Sequence, residues 1–268
     1  MSLSNVLAVA AAGKSLVLLG DPQQLEQPLQ SSHPEGSEVS ALQHLLGGAQ
    51  TMPPELGLFL DETWRLHPGI AAFTSEVYYE GRLKALPDLV HQAIVPAAAA
   101  SRFAGAGLRF VPVEHEGNQS RSAEEVAAIS AIVEELLAGA QRRDRGRQLH
   151  PLAEQDILIV APYNAQVSAL IEALPALRGR IGTVDRFQGQ EAPVVIYSMT
   201  SSSPEDAPRG MEFLYNRNRF NVATSRAQAL CVLVGNPALF EPVCKTPRQM
   251  RMANGFCRYL ELSAESLR

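Results

Sequence analysis

Short runs of aliphatic and β-branched residues recur along the chain, each bounded by glycine, proline or aspartate. Such runs are typical of strands buried on both faces. Between them, apolar residues recur at spacings of three and four, the period of a helix with one buried face. The pattern predicts strands at residues 16–19, 108–113, 157–160, 194–197 and 230–234, and helices at residues 5–12, 123–137, 165–174 and in the segment that ends at Arg226. Because strands alternate with helices, we expect an α/β fold with a parallel sheet flanked by helices.

A polar stretch divides the chain. Residues 31–57 are rich in Ser, Gly, Pro and His, which is typical of a connector. The single helix and strand before it are too few to form a core of their own. We therefore expect residues 1–30 to be the remnant of a preceding unit, residues 31–57 a connector and residues 58–268 the main domain. Residues 142–148 predict a charged surface loop.

Composition narrows the classes of function. Of the 268 residues, 46% are hydrophobic and 19% charged, enough for one good core. No window approaches about 18 uninterrupted apolar residues, and no signal segment is present, so we expect a cytoplasmic protein without a membrane span. The three cysteines form no CxxC pair and the six histidines lack ligand spacing, which predicts neither a disulfide framework nor a bound metal. The net charge of −5 limits nucleic-acid contact to a local groove.

Residues 8–15 read AVAAAGKS, which fits a Walker A phosphate loop if alanine is allowed at the first glycine position. A phosphate loop needs a strand before it and a helix after it, so that the N–H groups of the helix N-terminus point at the phosphates. Here a predicted helix precedes Gly13 and a predicted strand follows Ser15. We therefore interpret the segment as a helix-to-strand turn, with Gly13 as the C-cap and Lys14 solvated. A self-sufficient NTPase built on this segment is the disfavoured alternative.

Five stretches carry the functional signal. In chain order they are GDPQQL (20–25), TWRLHP (63–68), APYNAQ (161–166), GTVDRFQGQE (182–191) and RFNVATSRA (219–227). Together they closely resemble motifs III to VI of superfamily 1 helicases. The branch they resemble is 1B, which contains the RNA-surveillance helicases and the replication helicase-nucleases. The resemblance covers residues from about 4 to about 240 and implies a RecA-like fold of the P-loop NTPase class.

The resemblance implies two RecA-like lobes that bind ATP and Mg²⁺ in the cleft between them. Arg65 and Arg226 match the arginine-finger positions, where a guanidinium neutralises charge on the transferring phosphoryl group. Gln24 follows the first predicted strand, where its amide could donate to the γ-phosphate or orient water. Asp21 lies in the same nucleotide-contacting loop. For this loop, an ordinary Asp-Pro turn is the alternative interpretation.

Three further positions match residues that approach the nucleotide. Trp64 stands where the family usually has a tyrosine that stacks on adenine, and a core aromatic is the alternative. Gly189 matches a glycine that allows close backbone contact. Glu191 matches a residue that reaches a ribose hydroxyl, and a carboxylate at a helix N-terminus is the alternative.

The same motifs imply a groove for a single strand, whose backbone is held by hydroxyl, amide and main-chain N–H groups. The matching positions are Pro162, Tyr163, Asn164, Thr183 and Asp185. Tyr163 could also stack on a base, and packing on the core is its alternative. Gln188 lies between the nucleic-acid and nucleotide positions and is expected to link them.

Neither a credible phosphate loop nor an Asp-Glu-Ala motif for Mg²⁺ occurs in the chain. The resemblance therefore implies a C-terminal fragment that needs an N-terminal RecA-like lobe of the same protein, and in some relatives a nuclease domain. We expect the fragment alone to be inactive and monomeric, with ATP and Mg²⁺ bound only by the full-length protein. The expected polymer is single-stranded DNA, with RNA equally compatible. The alternative function is a non-catalytic module that binds a single strand or a protein.

Overall fold

The computed structural model describes residues 1–25, 39–98 and 100–265 of the 268-residue chain. Its strands are β1 (Glu62–Thr63), β2 (Lys84–Ala85), β3 (Ala93–Val95), β4 (Gly107–Pro112), β5 (Gln141–Arg143), β6 (Leu149–Pro151), β7 (Ile157–Val160), β8 (Ile181–Gly182), β9 (Ala192–Ser198) and β10 (Ala227–Gly235). Its α-helices are α1 (Leu3–Ala10), α2 (Ala41–Leu46), α3 (Pro68–Tyr78), α4 (Ala123–Leu137), α5 (Asn164–Ala173), α6 (Met211–Leu214), α7 (Arg217–Thr224) and α8 (Pro247–Glu265).

A five-stranded sheet forms the centre, with all strands parallel in the order β4, β10, β9, β7, β8. Four of the five predicted strands are confirmed, as β4, β7, β9 and β10. β8 is not among the strands predicted from apolar runs, because a strand of two residues is too short to show one. The smaller sheets are an antiparallel one of β3, β5 and β6 and a parallel pair of β1 and β2. The predicted α/β fold with a helix-flanked parallel sheet is confirmed.

Side chains along each central strand alternate between two apolar cores. In β9, Val195 and Tyr197 belong to one core, and Val194 and Ile196 belong to the other. The alternation follows from the two-residue repeat of a strand. Helices α3, α7 and α8 contribute to the first core, and α4 and α5 to the second. Both faces of the sheet are therefore covered, which is why its strands are continuous apolar runs.

The predicted helices are largely confirmed. α4 has the predicted bounds, and the Ser122 hydroxyl caps it by accepting a hydrogen bond from the backbone N–H of Glu125 at 3.1 Å. α5 lies within one residue of the predicted 165–174, and α7 ends at Thr224, just before Arg226. α3 and α8 were not predicted from the apolar spacing.

The N-terminal segment differs from the prediction. α1 begins and ends earlier than the predicted 5–12, and its C-cap is Ala11 rather than Gly13. The strand predicted at 16–19 does not form, and Leu19 is 91% exposed. A strand is stable only with a hydrogen-bonded neighbour, and none of the described residues pairs with this segment. No helix follows Ser15 before residue 25, so residues 8–15 do not have the geometry of a phosphate loop.

The predicted connector and charged loop also differ in part. Residues 26–38 lie outside the described residues, and α2 forms in the remainder of the 31–57 stretch, where Ser40 and Gln43 make a capping box. Residues 142–148 are not simply a loop, because Arg143 belongs to a β-hairpin between β5 and β6. The Asp144 carboxylate closes the turn of this hairpin by accepting a hydrogen bond from the backbone N–H of Gln148 at 2.9 Å.

Gly235, the last residue of β10, leaves no room for a side chain. An added Cβ would lie 2.9 Å from both Cβ and Cγ of Met199, closer than such atoms pack. Gly235→Ala is therefore expected to lower the free energy of unfolding by about 1–3 kcal/mol through overpacking. Urea unfolding measures the change. Gly179→Ala is the matched control, because nothing lies within 4 Å of its added Cβ, and equal stabilities of the two variants would refute the steric explanation.

Among the described residues, no helix is both long enough and apolar enough to cross a membrane.

Candidate functional site

The predicted site residues lie at opposite edges of the central sheet. Pro162 and Thr183 come just after β7 and β8, and therefore lie at the carboxyl edge. Glu191 and Arg226 come directly before β9 and β10, and therefore lie at the amino edge. The motif 182–191 runs from one edge to the other, and so does α7.

The amino edge carries a cluster of two arginines and one carboxylate. Arg65 donates from Nε to Glu191 in an ion pair and from Nη1 to the backbone oxygen of Ser225 at 3.1 Å. The other Glu191 oxygen accepts from the Gln228 amide at 2.9 Å. The Arg65 backbone oxygen accepts from the Gln92 amide at 2.8 Å, which fixes the loop that carries Arg65. Glu191 is thus the carboxylate that holds Arg65, and it precedes a strand, which excludes the helix-terminus alternative.

Arg226 lies beside this pair and is only 3% exposed. It donates to the backbone oxygens of Val222 at 3.0 Å and Gln190 at 3.2 Å, and to the Ser225 hydroxyl at 3.4 Å. Among the described residues it has no ion pair with a carboxylate. Burial and the neighbouring charge of Arg65 lower the pKa of Arg226 to about 10. Glu191 and Asp21 act on the charge of Arg226 from a distance, but neither carboxylate contacts it directly. An anion bound at this position would add the direct partner that this buried cation lacks.

Glu191 is ionised in this cluster. Partial burial acts to raise the pKa of Glu191, but the hydrogen bond and charge of Arg65 and the hydrogen bond from Gln228 outweigh it, so the pKa is lowered. Because the Arg65–Glu191 pair is partly exposed, it contributes only about 0–1 kcal/mol.

Trp64 is 67% exposed, so the core-aromatic alternative is wrong. It is next to Arg65, and the Arg145 guanidinium of the β5–β6 hairpin lies over its ring, 6.0 Å from the ring centroid. An open indole face beside an arginine cluster is able to stack on a planar ligand.

The loop that holds Asp21 and Gln24 docks onto α3 and α7. The Asp21 carboxylate accepts from the Tyr79 hydroxyl, from the Gln24 amide at 2.8 Å and from the backbone N–H of Gln23 at 2.9 Å. The last bond is the turn that the alternative interpretation expected. The Asn221 amide donates to the backbone oxygen of Gln23 at 2.9 Å and to the Tyr79 hydroxyl at 3.0 Å. Asp21 and Gln24 are therefore engaged with protein groups.

Sequence reasoning missed the residues that hold these groups in place. They are Tyr79, Gln92, Asn218, Asn221 and Gln228. One signal was available for α7, because Asn218 and Asn221 are three residues apart and so lie on one face of a helix. The Asn218 amide donates to the backbone oxygen of Gln24 at 2.8 Å, beside the Asn221 contacts.

The carboxyl edge holds a cavity of about 330 Å³. Its lining includes five predicted residues, namely Pro162, Tyr163, Asn164, Thr183 and Asp185. Gln188 is exposed and lies between this cavity and the amino edge along the chain. The structure therefore brings five of the six predicted strand-binding residues together at one place, which we call the groove, and leaves Gln188 outside its lining.

The groove also contains residues that sequence reasoning missed. Phe213 lines it together with Arg209 and Arg219. Arg219 forms an ion pair with Asp185 at 3.1 Å. Tyr163 is only 7% exposed and packs against Phe213 with ring centroids 5.5 Å apart, so its ring is covered as the core-packing alternative expected.

Gly189 has a backbone φ of 85°. This is the left-handed region, which glycine adopts without the steric cost of a Cβ. Nothing lies within 4 Å of an added Cβ, so the backbone there is open to a ligand.

The family model described as the AAA domain matches residues 38–238, most of the chain. The chain belongs to the AAA domain family. Its resemblance to superfamily 1B helicases through motifs III to VI is confirmed, because several relatives of this AAA domain chain are named helicases.

Two such relatives illustrate the match. "Putative helicase mov-10-B.1" of Danio rerio is 30% identical over 253 residues, which cover 84% of this chain and 25% of the relative. "Helicase sen1" of Schizosaccharomyces pombe is 26% identical over 247 residues, which cover 88% of this chain and 14% of the relative. The chain thus spans a quarter or less of each helicase.

One solved structure is also similar, the C-terminal domain of a possible DNA helicase from Lactobacillus plantarum. The match covers 71% of this chain and 94% of the Lactobacillus domain, with 18% sequence identity and a TM-score of 0.35.

Proposed function

We propose that this chain is the second motor lobe of an ATP-dependent superfamily 1 helicase or translocase. It supplies arginine fingers and a grip on a single strand, and a first RecA-like lobe of the same protein completes the nucleotide site. The observation that carries the proposal is the buried Arg226 guanidinium, which has no carboxylate partner among the described residues and lies beside Arg65.

ATP fits the amino edge. The Arg65 and Arg226 guanidinium groups hold phosphate oxygens and neutralise the charge that spreads over them during phosphoryl transfer. Trp64 stacks on the base, the open backbone at Gly189 approaches the nucleotide, and Glu191 accepts from a ribose hydroxyl once phosphate has replaced it at Arg65. ATP supplies the phosphoryl group, and the protein positions it and stabilises its charge.

Mg²⁺ does not fit this chain alone. No group of three or more His, Cys, Asp or Glu side chains among the described residues is placed to hold a metal ion. The Asp21 carboxylate already accepts three hydrogen bonds from the protein. In our proposal the first lobe holds Mg²⁺, and Gln24 orients the γ-phosphate or water only after its amide leaves Asp21.

Exposed apolar side chains support a first lobe as partner. Val17 and Leu19 are exposed where a strand was predicted, and Leu58 and Leu60 are exposed a few residues before Arg65. A first lobe that packed on these side chains would remove them from water. In our proposal residues 16–19 complete the sheet of the first lobe.

The two edges are coupled through α7 and the 182–191 motif. Arg219 near the start of α7 pairs with Asp185 in the groove, whereas Asn221 on the same helix holds the Asp21 loop at the nucleotide side. A shift of α7 on ATP binding would therefore change the groove. This is the physical route by which hydrolysis drives movement along a strand.

ATP hydrolysis by the longer native protein, with and without single-stranded DNA or RNA, tests the proposal. We expect stimulation by one of the two polymers, and Arg65→Ala is expected to lower turnover by about 10³-fold, because a finger acts only on transition-state charge. Arg121→Ala is the matched control, since Arg121 is exposed and its ion pair with Glu172, at 4.0 Å, is weak. Strand binding without any stimulated hydrolysis would favour the non-catalytic binding module instead.

A further inference from the structure

We infer that Phe213, held between Arg209 and Arg219, is the residue on which a base of the bound strand stacks. The ligand class is a single strand with bases, recognised without sequence preference. The inference rests on the proposed single-strand grip of the groove and goes beyond it, because none of the helicase motifs in the chain includes Phe213.

Phe213 is the aromatic ring of the groove that is partly exposed. It lies in α6 and is half-buried, whereas the Tyr163 ring behind it is buried. The Tyr163 ring supports Phe213 from one side, with centroids 5.5 Å apart. Because the ring is backed by another ring and opens on the cavity, it is placed as a stacking platform.

Two guanidinium groups flank the ring. The Arg209 guanidinium lies 4.7 Å from the Phe213 centroid, and that of Arg219 lies 4.9 Å from it. Arg219 is neutralised by Asp185. Arg209 is exposed and has no ion-pair partner in the part of the chain that the structure describes. Its charge is therefore free to contact a phosphate next to the stacked base.

The backbone holds Arg209 and Phe213 on the same turn. Gly210, between them, has a φ of 73°, which favours glycine, and its backbone oxygen accepts a hydrogen bond from the N–H of Phe213 at 3.2 Å. Tyr215, just after α6, is buried and donates to the backbone oxygen of Leu239 at 2.6 Å. The platform is thus anchored to the core rather than carried on a free loop.

Binding of the full chain to two strands of equal length tests the inference, one of oligo-dT and one abasic with the same phosphates. Fluorescence anisotropy gives the affinities. Phe213→Ala is expected to weaken binding of oligo-dT by about ten- to hundredfold and to leave binding of the abasic strand unchanged. Phe213→Tyr should restore the loss, because it keeps a stacking ring.

Arg209→Gln gives the matched phosphate control. This variant is expected to weaken binding of both strands equally and to lower the slope of log affinity against log salt concentration by about one. If Phe213→Ala affects both strands equally, or neither, the stacking assignment is wrong while the single-strand grip stands. If the unchanged protein binds neither strand, the grip fails and the assignment fails with it. Equal melting temperatures of the variants exclude loss of folding as the cause.

Discussion

Replacement of Arg226 by alanine is expected to lower ATP turnover of the proposed two-lobe protein by about 10³-fold or more. The guanidinium is buried at the amino edge, where a charge interacts strongly because little water screens it. Its pKa of about 10 remains well above neutral pH, so it is a full cation there. The phosphoryl group develops its extra charge only in the transition state, so turnover falls more than ATP affinity does.

Arg226→Lys separates catalysis from folding. Lysine keeps the charge but not the planar fork that donates to the backbone oxygens of Val222 and Gln190 and, in the proposed site, to phosphate. The lysine variant should therefore fold and still hydrolyse ATP slowly. Steady-state turnover at saturating ATP is the measurement, with Arg121→Ala as control and melting temperature as the check on folding. Turnover of Arg226→Ala within tenfold of the unchanged protein would contradict the finger assignment.

Glu125→Ala is expected to lower the free energy of unfolding by about 3 kcal/mol or more. The Glu125 carboxylate is completely buried in α4. It accepts hydrogen bonds from the Ser198 hydroxyl, from the backbone N–H of Thr200 at 2.9 Å and from His115 Nε2 at 3.1 Å. Each buried donor left without a partner costs about 1–3 kcal/mol.

The same carboxylate holds a strained backbone. Thr200 has a φ of 73°, a region that residues with a Cβ rarely adopt, and its N–H is held by Glu125. This segment leads from β9 towards α6 and the groove, so we expect local as well as global loss of stability. Glu172→Ala is the matched control, because that carboxylate is exposed on α5. Urea unfolding measures the free energies of unfolding of the two variants. A difference of less than about 1 kcal/mol between them would refute a stabilising network.

The strands of the central sheet were predictable because parallel strands are covered on both faces, which leaves continuous apolar runs such as 157–160. The same logic failed for 16–19, whose apolar run is real but whose neighbouring strand is absent from the described residues. A strand depends on a partner that its own sequence does not contain. In our proposal the first lobe supplies the partner strand for residues 16–19.

The residues of the candidate site also divide into those that the sequence predicts and those that it does not. Arg65, Glu191 and Arg226 were predictable because each lies in a motif, and the structure brings all three together. Phe213 and Arg209 were not predictable, because they lie between motifs in a segment without apolar periodicity. Their position depends on how α6 packs, which only the three-dimensional structure reveals.

ATP hydrolysis by the chain alone, compared with hydrolysis by the chain joined to the proposed first lobe, tests most directly whether this chain supplies half of an ATPase site. With Mg²⁺ and single strands present, we predict background hydrolysis by the chain alone and strand-stimulated hydrolysis by the joined protein. Hydrolysis by the chain alone that disappears in Lys14→Ala would contradict the claim, because residues 8–15 would then form a working phosphate loop.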